Sequence, residues 1–222
     1  MFAHSPKLVT SGLVLALDAG NVKSYTSGST TWFDKSGFSN NGTLTNGPTF
    51  TGSNGGSIVF DGSDDYVSIP YNASSFNLGT GDFTFNIWYN NNGGGDFQRL
   101  FTIGAFSTAG NFQFERGGGN RVVVHVNGSF VIYNTTNTSG NWYNFTVTRT
   151  SGVVNVYNNT VNIGSSTQSG NINNTDSIQI GRDSVYGVYF NGRIPLIHLY
   201  NKSLTVQEIA QNYNALKSRF GL

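Results

Sequence analysis

Three aspartates lie within five residues of one another in the stretch FDGSDDYVSIP, at residues 60–70. Asp61, Ser63 and Asp65 have the opening spacing of a calcium-binding loop, and Asp64 adds another carboxylate. Ca²⁺ prefers several hard oxygen ligands, so calcium is the cofactor that these four residues would hold. The closing position of an EF-hand loop, where a bidentate glutamate is needed, carries an asparagine, which excludes an EF-hand.

An ordinary turn explains the same stretch without a metal. Aspartate and glycine favour turns, and aspartate side chains accept hydrogen bonds from the amides of the turn. The apolar YVSI that follows is typical of a strand that such a turn would introduce. A plain turn with no cofactor is therefore our first interpretation, and a calcium site is the alternative.

Hydrolysis of a sugar would require two positioned carboxyl groups on either side of the glycosidic bond. The chain has only two glutamates, Glu115 and Glu208. Glu208 is explained by a helix cap, and Glu115 has no acidic residue two or four positions away. His125 and His198 alternate within apolar strands without a close ligand pair or a nucleophile motif. We predict that the protein is not an enzyme and has no catalytic residues, with a glycosidase retained as an outlier.

Two tryptophans could form a carbohydrate-binding surface, because sugars stack on exposed aromatic faces that have polar groups beside them. Trp88 and Trp142 each alternate with the apolar residues of their segments, which would place both on the sheet face opposite the core. Asn86, Asn144 and Arg99 would be their polar companions. These five residues form the candidate carbohydrate site.

Burial is the alternative for both tryptophans. Large aromatic side chains usually become substantially buried in a folded chain. The long polar segment at 20–56 or a C-terminal helix could cover them, and this is the interpretation that we favour over an exposed site.

Short alternating segments must position all of these residues. DFTFNIWYN and WYNFTVTRT alternate apolar and polar residues with period two, and glycine and asparagine separate a dozen similar runs. This pattern predicts an all-β fold, a two-sheet antiparallel jelly-roll sandwich. Residues 20–56 are rich in Gly, Ser, Thr and Asn, and we expect a long loop there that is tied to the domain.

One helix is predicted near the C-terminus, over about 205–219. Thr205 and Glu208 have the spacing of a capping box, and Gly221 can end the helix. Its apolar positions recur every three or four residues and predict one amphipathic stripe that docks on the sandwich. The stripe consists of Val206, Ile209, Tyr213, Leu216 and Phe220. We expect a single domain over 13–222, preceded by an irregular arm at 1–12.

The ordered set of segments resembles a known family. YVSI, DFTFNIWYN, WYNFTVTRTSGVVNVYNNTVNIGSS, SIQIGR and FNGRIPLIHLYNKSLTVQEI are similar to the concanavalin A-like jelly roll of the laminin G-like (LamG) domains, over roughly residues 57–212. The resemblance implies ligands at one rim or on a concave face, and calcium at a rim in some relatives. Pro195 stands where many relatives have an acidic residue, and because proline donates no ladder hydrogen bond, we expect an edge or a bulge there.

Composition excludes several classes of partner. The net charge is +1, and the basic residues are scattered, so we predict no nucleic-acid binding. The apolar stretch LVLAL is too short for a membrane span or a signal peptide, so we predict no membrane insertion and synthesis in a host cytoplasm without a signal peptide. The chain has no cysteine, which excludes disulfides.

Two functions follow from these observations. GLVLALDAGNVKSY, TTWFDKSG and NNGTLTNGPTF resemble the N-terminal part of LamG-type proteins in tailed-phage virions. Our main prediction is a virion structural protein that decorates the capsid, neck or tail, or forms a fibre, with other virion proteins as partners. A homo-oligomer is expected, and a trimer would suit a fibre or a decoration knob. The alternative is a carbohydrate-binding adhesion module for host-surface polysaccharide, assisted by calcium.

Overall fold

The computed structural model describes residues 6–119 and 121–222, which form sixteen strands and two α-helices. Residues 1–5 of the predicted arm lie outside the described part. The α-helices are α1 (Ala73–Phe76) and α2 (Val206–Leu216), and 3-10 turns lie at Ser53–Gly55 and Lys217–Phe220. The strands are β1 (Leu13–Asp18), β2 (Thr31–Trp32), β3 (Gly42–Thr45), β4 (Thr49–Thr51), β5 (Ser57–Asp61), β6 (Tyr66–Ile69), β7 (Phe83–Asn91), β8 (Gln98–Ile103), β9 (Phe112–Gly117), β10 (Arg121–Val126), β11 (Ser129–Asn134), β12 (Trp142–Thr150), β13 (Val153–Asn158), β14 (Val161–Thr167), β15 (Ile178–Ile180) and β16 (Asn191–Tyr200).

The strands form two antiparallel sheets of eight strands each, which confirms the predicted jelly-roll sandwich. The first sheet has the order β14-β13-β12-β7-β16-β5-β4, with β1 also paired to β16. The second sheet has the order β11-β10-β9-β8-β15-β6-β3-β2. One large hydrophobic core fills the space between their facing sides. We call the opposite side of each sheet its outer face.

Alternation along β7 shows why these sequences form such sheets. Phe83, Phe85, Ile87 and Tyr89 all belong to the core between the sheets. Trp88 points the other way, because successive side chains of a strand leave opposite faces. The predicted period-two pattern is therefore confirmed in this strand, but its polar face is buried as well.

The segment at 20–56 contains more structure than the predicted loop. Strands β2, β3 and β4 lie within it, and Trp32 is fully buried. The buried Asp34 ties the segment to β1, since its Oδ1 accepts a hydrogen bond from the amide of Ala16 at 2.8 Å. Asp34 Oδ2 also accepts from the amide of Asn40 at 3.0 Å. The sequence missed these strands because they are two to four residues long, which is too short to show a period-two pattern.

Helix α2 covers part of the outer face of the first sheet. The predicted capping box is present, with Thr205 accepting from the amide of Glu208. The predicted stripe is wrong at its first position, because Val206 is exposed and Leu204 is buried beside Ile209 instead. The helix ends earlier than expected and continues as a 3-10 turn. Within the described part of the chain, no helix is long and apolar enough to span a membrane.

The described end of the N-terminal arm packs against this helix. Val9 is buried, and its amide donates to Asn212 Oδ1 at 2.8 Å. The hydroxyl of Tyr200 donates to the carbonyl of Val9 at 3.1 Å. The arm is therefore held against the domain at Val9, and the boundary at residue 13 stays a prediction.

Pro195 marks a change of partner in β16. The register between β16 and β7 shifts between Arg193 and Leu196, which is the bulge expected at this proline. On its other side, β16 pairs with β5 before the proline and with β1 after it. The missing N–H lies where the ladder is already interrupted, so proline fits inside a central strand.

Candidate functional site

A groove with a volume of about 480 Å³ lies on the outer face of the second sheet. Strands β8 to β11 form its floor, and three loops form its walls, at 92–97, 104–111 and 181–190. Its lining consists of Asp96, Phe97, Arg99, Phe106, Glu115, Val123, His125, Phe130, Ile132, Tyr186 and Val188. Because aromatic and charged residues meet here, we take this groove as the candidate site.

Strand register brings the charged residues of the floor together. Arg99 of β8 lies opposite Glu115 of β9, and Glu115 lies opposite Val123 of β10. His125 is two residues beyond Val123 and therefore shares its face. The neighbouring residues Phe114 and Val124 point into the core, which directs the polar side chains outward. A register shift between Arg99 and Phe101 locally alters the alternation in β8.

Four ionisable residues form a buried ionic cluster beneath the groove, namely Arg99, Glu115, His125 and Asp183. Each is at most 5% exposed. Glu115 contacts Arg99 Nη1 through one oxygen and lies 3.1 Å from His125 Nε2 through the other. Arg99 Nε lies 3.8 Å from Asp183 Oδ2. Buried ion pairs contribute little net stability compared with apolar packing, so a cluster of this kind indicates a site rather than a fold requirement.

Asp183 connects two walls of the groove. Its Oδ2 accepts from the amide of Phe106 at 2.9 Å, and its Oδ1 accepts from the amides of Val185 and Tyr186 at 2.8 and 3.1 Å. Burial by itself would raise the pKa of Asp183, but these amides and the nearby Arg99 outweigh it and lower the pKa. The carboxylate is therefore ionised in the folded protein at neutral pH.

An aromatic row runs from the walls of the groove onto its floor. It consists of Tyr186, Phe106, His125 and Phe130. Successive ring centroids lie 5.6, 5.3 and 5.5 Å apart. Tyr186 and Phe130 are more than half exposed, whereas His125 is buried. Rings of this kind offer flat apolar faces, on which the C–H groups of a ligand can stack.

Helix α2 covers the two tryptophans of the candidate carbohydrate site. Trp88 is fully buried and stacks on Tyr213 and Phe220, with ring centroids 5.5 and 4.3 Å apart. Trp142 is partly buried and lies 4.8 Å from the ring of Phe220. The face of Trp88 is therefore occupied by other side chains of the protein. This agrees with our interpretation that the C-terminal helix covers this tryptophan.

Two of the three polar companions lie beside Trp88, but their amides are used within the sheet, and the third lies in the other sheet. Asn86 is buried and donates to Thr146 Oγ1 at 2.8 Å, and Asn144 is buried and donates to the carbonyl of Ile87 at 3.3 Å. Both amides thus cross-link β7 and β12 on the outer face of the first sheet. Arg99 belongs to the second sheet and is the one predicted sugar contact that lines the groove.

The aspartates of the predicted calcium site form a hydrogen-bonded turn. Asp61, Asp64 and Asp65 can bring carboxylate oxygens within 4.8 Å of one another, so the donor set fits a calcium ion. Two of these oxygens already accept from turn amides: Asp65 Oδ2 from Asp61 at 3.0 Å, and Asp61 Oδ1 from Ser63 at 2.8 Å. The bond from Ser63 lowers the pKa of Asp61, whereas burial raises that of Asp65. The plain turn accounts for this geometry, and calcium stays a prediction.

Most residues of the groove were missed by the sequence analysis. Glu115 was set aside in the sequence analysis for lack of a nearby acid in sequence, and His125 was interpreted as a residue of an apolar strand. Asp183, Phe106 and Tyr186 lie on loops, where no periodicity marks them. The available signal was a charged residue at alternate positions of apolar strands, in FQFER and VVVHV.

Comparison with known proteins identifies the family. A profile of the concanavalin A-like lectin/glucanases superfamily, of the laminin G type, matches residues 61–210, more than half of the chain. The chain belongs to this superfamily. No curated protein sequence matches this member of the superfamily at a significant level.

Solved structures share the fold of this superfamily member at low sequence identity. Domain 4 of AbnA, a GH43 extracellular arabinanase from Geobacillus stearothermophilus, in complex with arabinotriose, has a TM-score of 0.73 and 15% identity; the match covers 91% of this chain and 98% of that chain. The binding domain of botulinum neurotoxin DC in complex with SialylT has a TM-score of 0.72 and 15% identity, with 93% and 52% covered. The binding domain of Paraclostridial Mosquitocidal Protein 1 has a TM-score of 0.71 and 17% identity, with 92% and 52% covered.

These similarities establish the jelly-roll fold, and at this identity they establish the fold alone. The chain spans about half the length of the toxin binding domains that it matches. The three structures are binding domains or hold a saccharide, and none of the three is a virion protein.

Proposed function

We propose that this protein is a carbohydrate-binding module whose binding site is the groove on the outer face of the second sheet. The observation that carries the proposal is the aromatic row above the buried ionic cluster. Exposed rings supply stacking faces, and the cluster holds their loops in place through Asp183. The groove has a volume of about 480 Å³, which falls in the usual range for a small-ligand pocket.

Structural neighbours support the same function. One of them is in complex with arabinotriose, and another is a toxin binding domain in complex with SialylT. Because a jelly roll hosts many functions, this support is an analogy, and the groove itself provides the argument from chemistry.

The proposed groove binds a saccharide and does not hydrolyse it. Glu115 is held between Arg99 and His125 and is 1% exposed, so its carboxylate is not presented to a glycosidic oxygen. A glycosidase would need one carboxyl group that reaches the leaving oxygen and a second that reaches the ring. Release of reducing ends from a bound polysaccharide would contradict binding without hydrolysis.

The virion location stays a prediction that is compatible with sugar binding. A weak site repeated on many copies of a virion protein, or on a trimer, would give strong adhesion to a host polysaccharide. Mass spectrometry of purified particles tests this location independently, and a particle without the protein would contradict it. The aspartate cluster shares no residue with the groove lining.

Binding to a broad array of glycans, followed by titration calorimetry of the best ligand, tests the proposed site. We expect Phe130→Ala, which removes one end of the aromatic row, to weaken binding about tenfold or more. Phe38→Ala is the matched control, because Phe38 is also a partly exposed phenylalanine but does not line the groove. Equal losses in both variants, or no binding to any glycan, would contradict the proposal.

A further inference from the structure

We infer that the groove selects an uncharged saccharide and discriminates against one that carries a carboxylate. This inference rests on the proposed function and adds the chemical class of its ligand. It follows from the charges in and beneath the groove, from the way in which each cation is already engaged, and from the apolar nature of the accessible walls.

Among the residues that line the groove, carboxylates outnumber guanidinium groups, since the lining holds Asp96 and Glu115 but only Arg99. Just outside the lining, Asp183 lies beside Arg99, and Arg121 pairs with Asp96. Protonation of His125 would bring the sum of these charges only to zero. The groove is therefore neutral or negative and has no excess of positive charge to attract an anion.

Both cations are already engaged by the protein. Arg99 is 5% exposed, contacts Glu115, and donates from Nη1 to the carbonyl of Phe97. Arg121 Nη2 lies 3.4 Å from Asp96 Oδ2, and its guanidinium packs over the ring of Phe97 at 5.4 Å. Anion recognition by arginine requires an accessible guanidinium fork. The Nε atoms of Arg99 and Arg121 make no hydrogen bond, but both are buried, so neither arginine presents such a fork to the groove.

Another arginine nearby does not change this balance. Arg116 follows Glu115 in β9, so its side chain leaves the opposite face of the strand. It is buried, and its Nη1 donates to the carbonyl of Gly95 at 3.1 Å. Among the described residues that line the groove, Arg99 is the one guanidinium.

The walls favour a neutral ring for a second reason. Phe97, Phe130, Ile132 and Tyr186 are the exposed apolar residues of the lining. A carboxylate placed on these walls would lose water without gaining a cationic partner, and it would lie above the carboxylates of the cluster. The C–H face of a neutral sugar ring loses little water and stacks on the rings.

Pairs of probes in which a carboxylate is compared with its methyl ester test the inference. Sialyllactose is compared with its methyl ester, and polygalacturonate is compared with its methyl-esterified form, by calorimetry at low and physiological salt. In a pair that binds, we expect the acidic member to bind at least about tenfold more weakly. Phe130→Ala should weaken the binding of both members about tenfold or more, because both members use the groove.

A charge variant that leaves the fold intact provides the second measurement. The side chain of Asp96 is 55% exposed, so Asp96→Asn should fold like the parent protein. We expect it to raise the affinity for the acidic member relative to the neutral member by about threefold, as for a partly exposed charge. Asp64→Asn removes an exposed carboxylate outside the groove lining and serves as the control.

The outcomes separate this inference from the proposed function. Stronger binding of the neutral members, together with the shift in Asp96→Asn, supports both. Equal or tighter binding of an acidic member that is lost in Phe130→Ala overturns the inference and leaves the carbohydrate site standing. An unchanged ratio in Asp96→Asn also overturns it. Absence of binding by any probe on a broad array overturns the proposed function and the inference with it.

Discussion

Asp183 and Phe106 are joined across the groove by a hydrogen bond of 2.9 Å from the amide of Phe106 to Oδ2 of the carboxylate. The other oxygen of Asp183 accepts from the amide of Tyr186. Two aromatic walls that are eighty residues apart in sequence are thus positioned by one buried carboxylate, and their rings meet at 5.6 Å.

Replacement of that carboxylate should loosen both walls. Asp183→Asn can keep one acceptor, but its amide group cannot accept from Phe106, which leaves a buried N–H without a partner. We expect a loss of about 1–3 kcal/mol in the free energy of unfolding, measured by chemical denaturation. Asp176→Asn, at an exposed aspartate, should change it by less than about 0.5 kcal/mol.

Sugar affinity provides a second measurement on the same variant. If Asp183 positions the rings, glycan binding by Asp183→Asn should fall at temperatures where the variant remains folded. Unchanged affinity in a folded variant would show that the walls do not depend on this carboxylate.

His198 should make the stability of the protein depend on pH. The pKa of His198 is lowered to about 4, chiefly by burial on the outer face of the first sheet, with Asp18 opposing this change and Arg219 adding to it. The unfolded chain takes up the proton near pH 6.5, whereas the folded protein resists it. His198 therefore contributes stability above pH 6.5, and this contribution is lost as pH falls toward 4, by about 3 kcal/mol in total.

The measurement for His198 is a comparison of unfolding free energies between pH 4 and 7.5 in the parent protein and in His198→Gln. Other groups titrate in both proteins, so the difference between the two curves isolates His198. A difference that is flat across this range would contradict the low pKa of His198.

Trp88 should matter for stability and not for sugar binding. Its ring is fully buried between the first sheet and the C-terminal helix, so Trp88→Ala should destabilise the fold by about 3–5 kcal/mol. Val206→Ala, on the exposed start of the same helix, should cost less than about 0.5 kcal/mol. Loss of glycan binding in Trp88→Ala under conditions where it remains folded would instead support the site predicted from the sequence.

Calcium should leave the melting temperature unchanged if the aspartate cluster is a plain turn. Two carboxylate oxygens are already used by turn amides, which satisfies the turn without an ion. A bound ion at ten times its Kd would instead add about 1.4 kcal/mol of stability. Such a rise with millimolar calcium, lost in a chelator and in Asp64→Asn, would establish a calcium site.

Elements with strong periodicity could be predicted from the sequence. Alternation in β7 and β12 predicted which residues face the core, and the spacing of Thr205 and Glu208 predicted the start of the helix. These signals are local, since side-chain direction in a strand or a helix follows from the backbone period. The short strands in 20–56 gave no such signal, because long-range pairing rather than local propensity holds them in place.

The identity of the exposed face was decided by the tertiary structure. The sequence determined that Trp88 and Glu115 both leave their strands on the side opposite the core. It did not determine that the C-terminal helix lies over Trp88 or that the groove lies over Glu115. Both depend on which of the two sheets the helix covers. Register between β8, β9 and β10, and loops joined by Asp183, then bring Arg99, Glu115 and His125 together. Contacts between residues far apart in sequence decide this, and no local period encodes them.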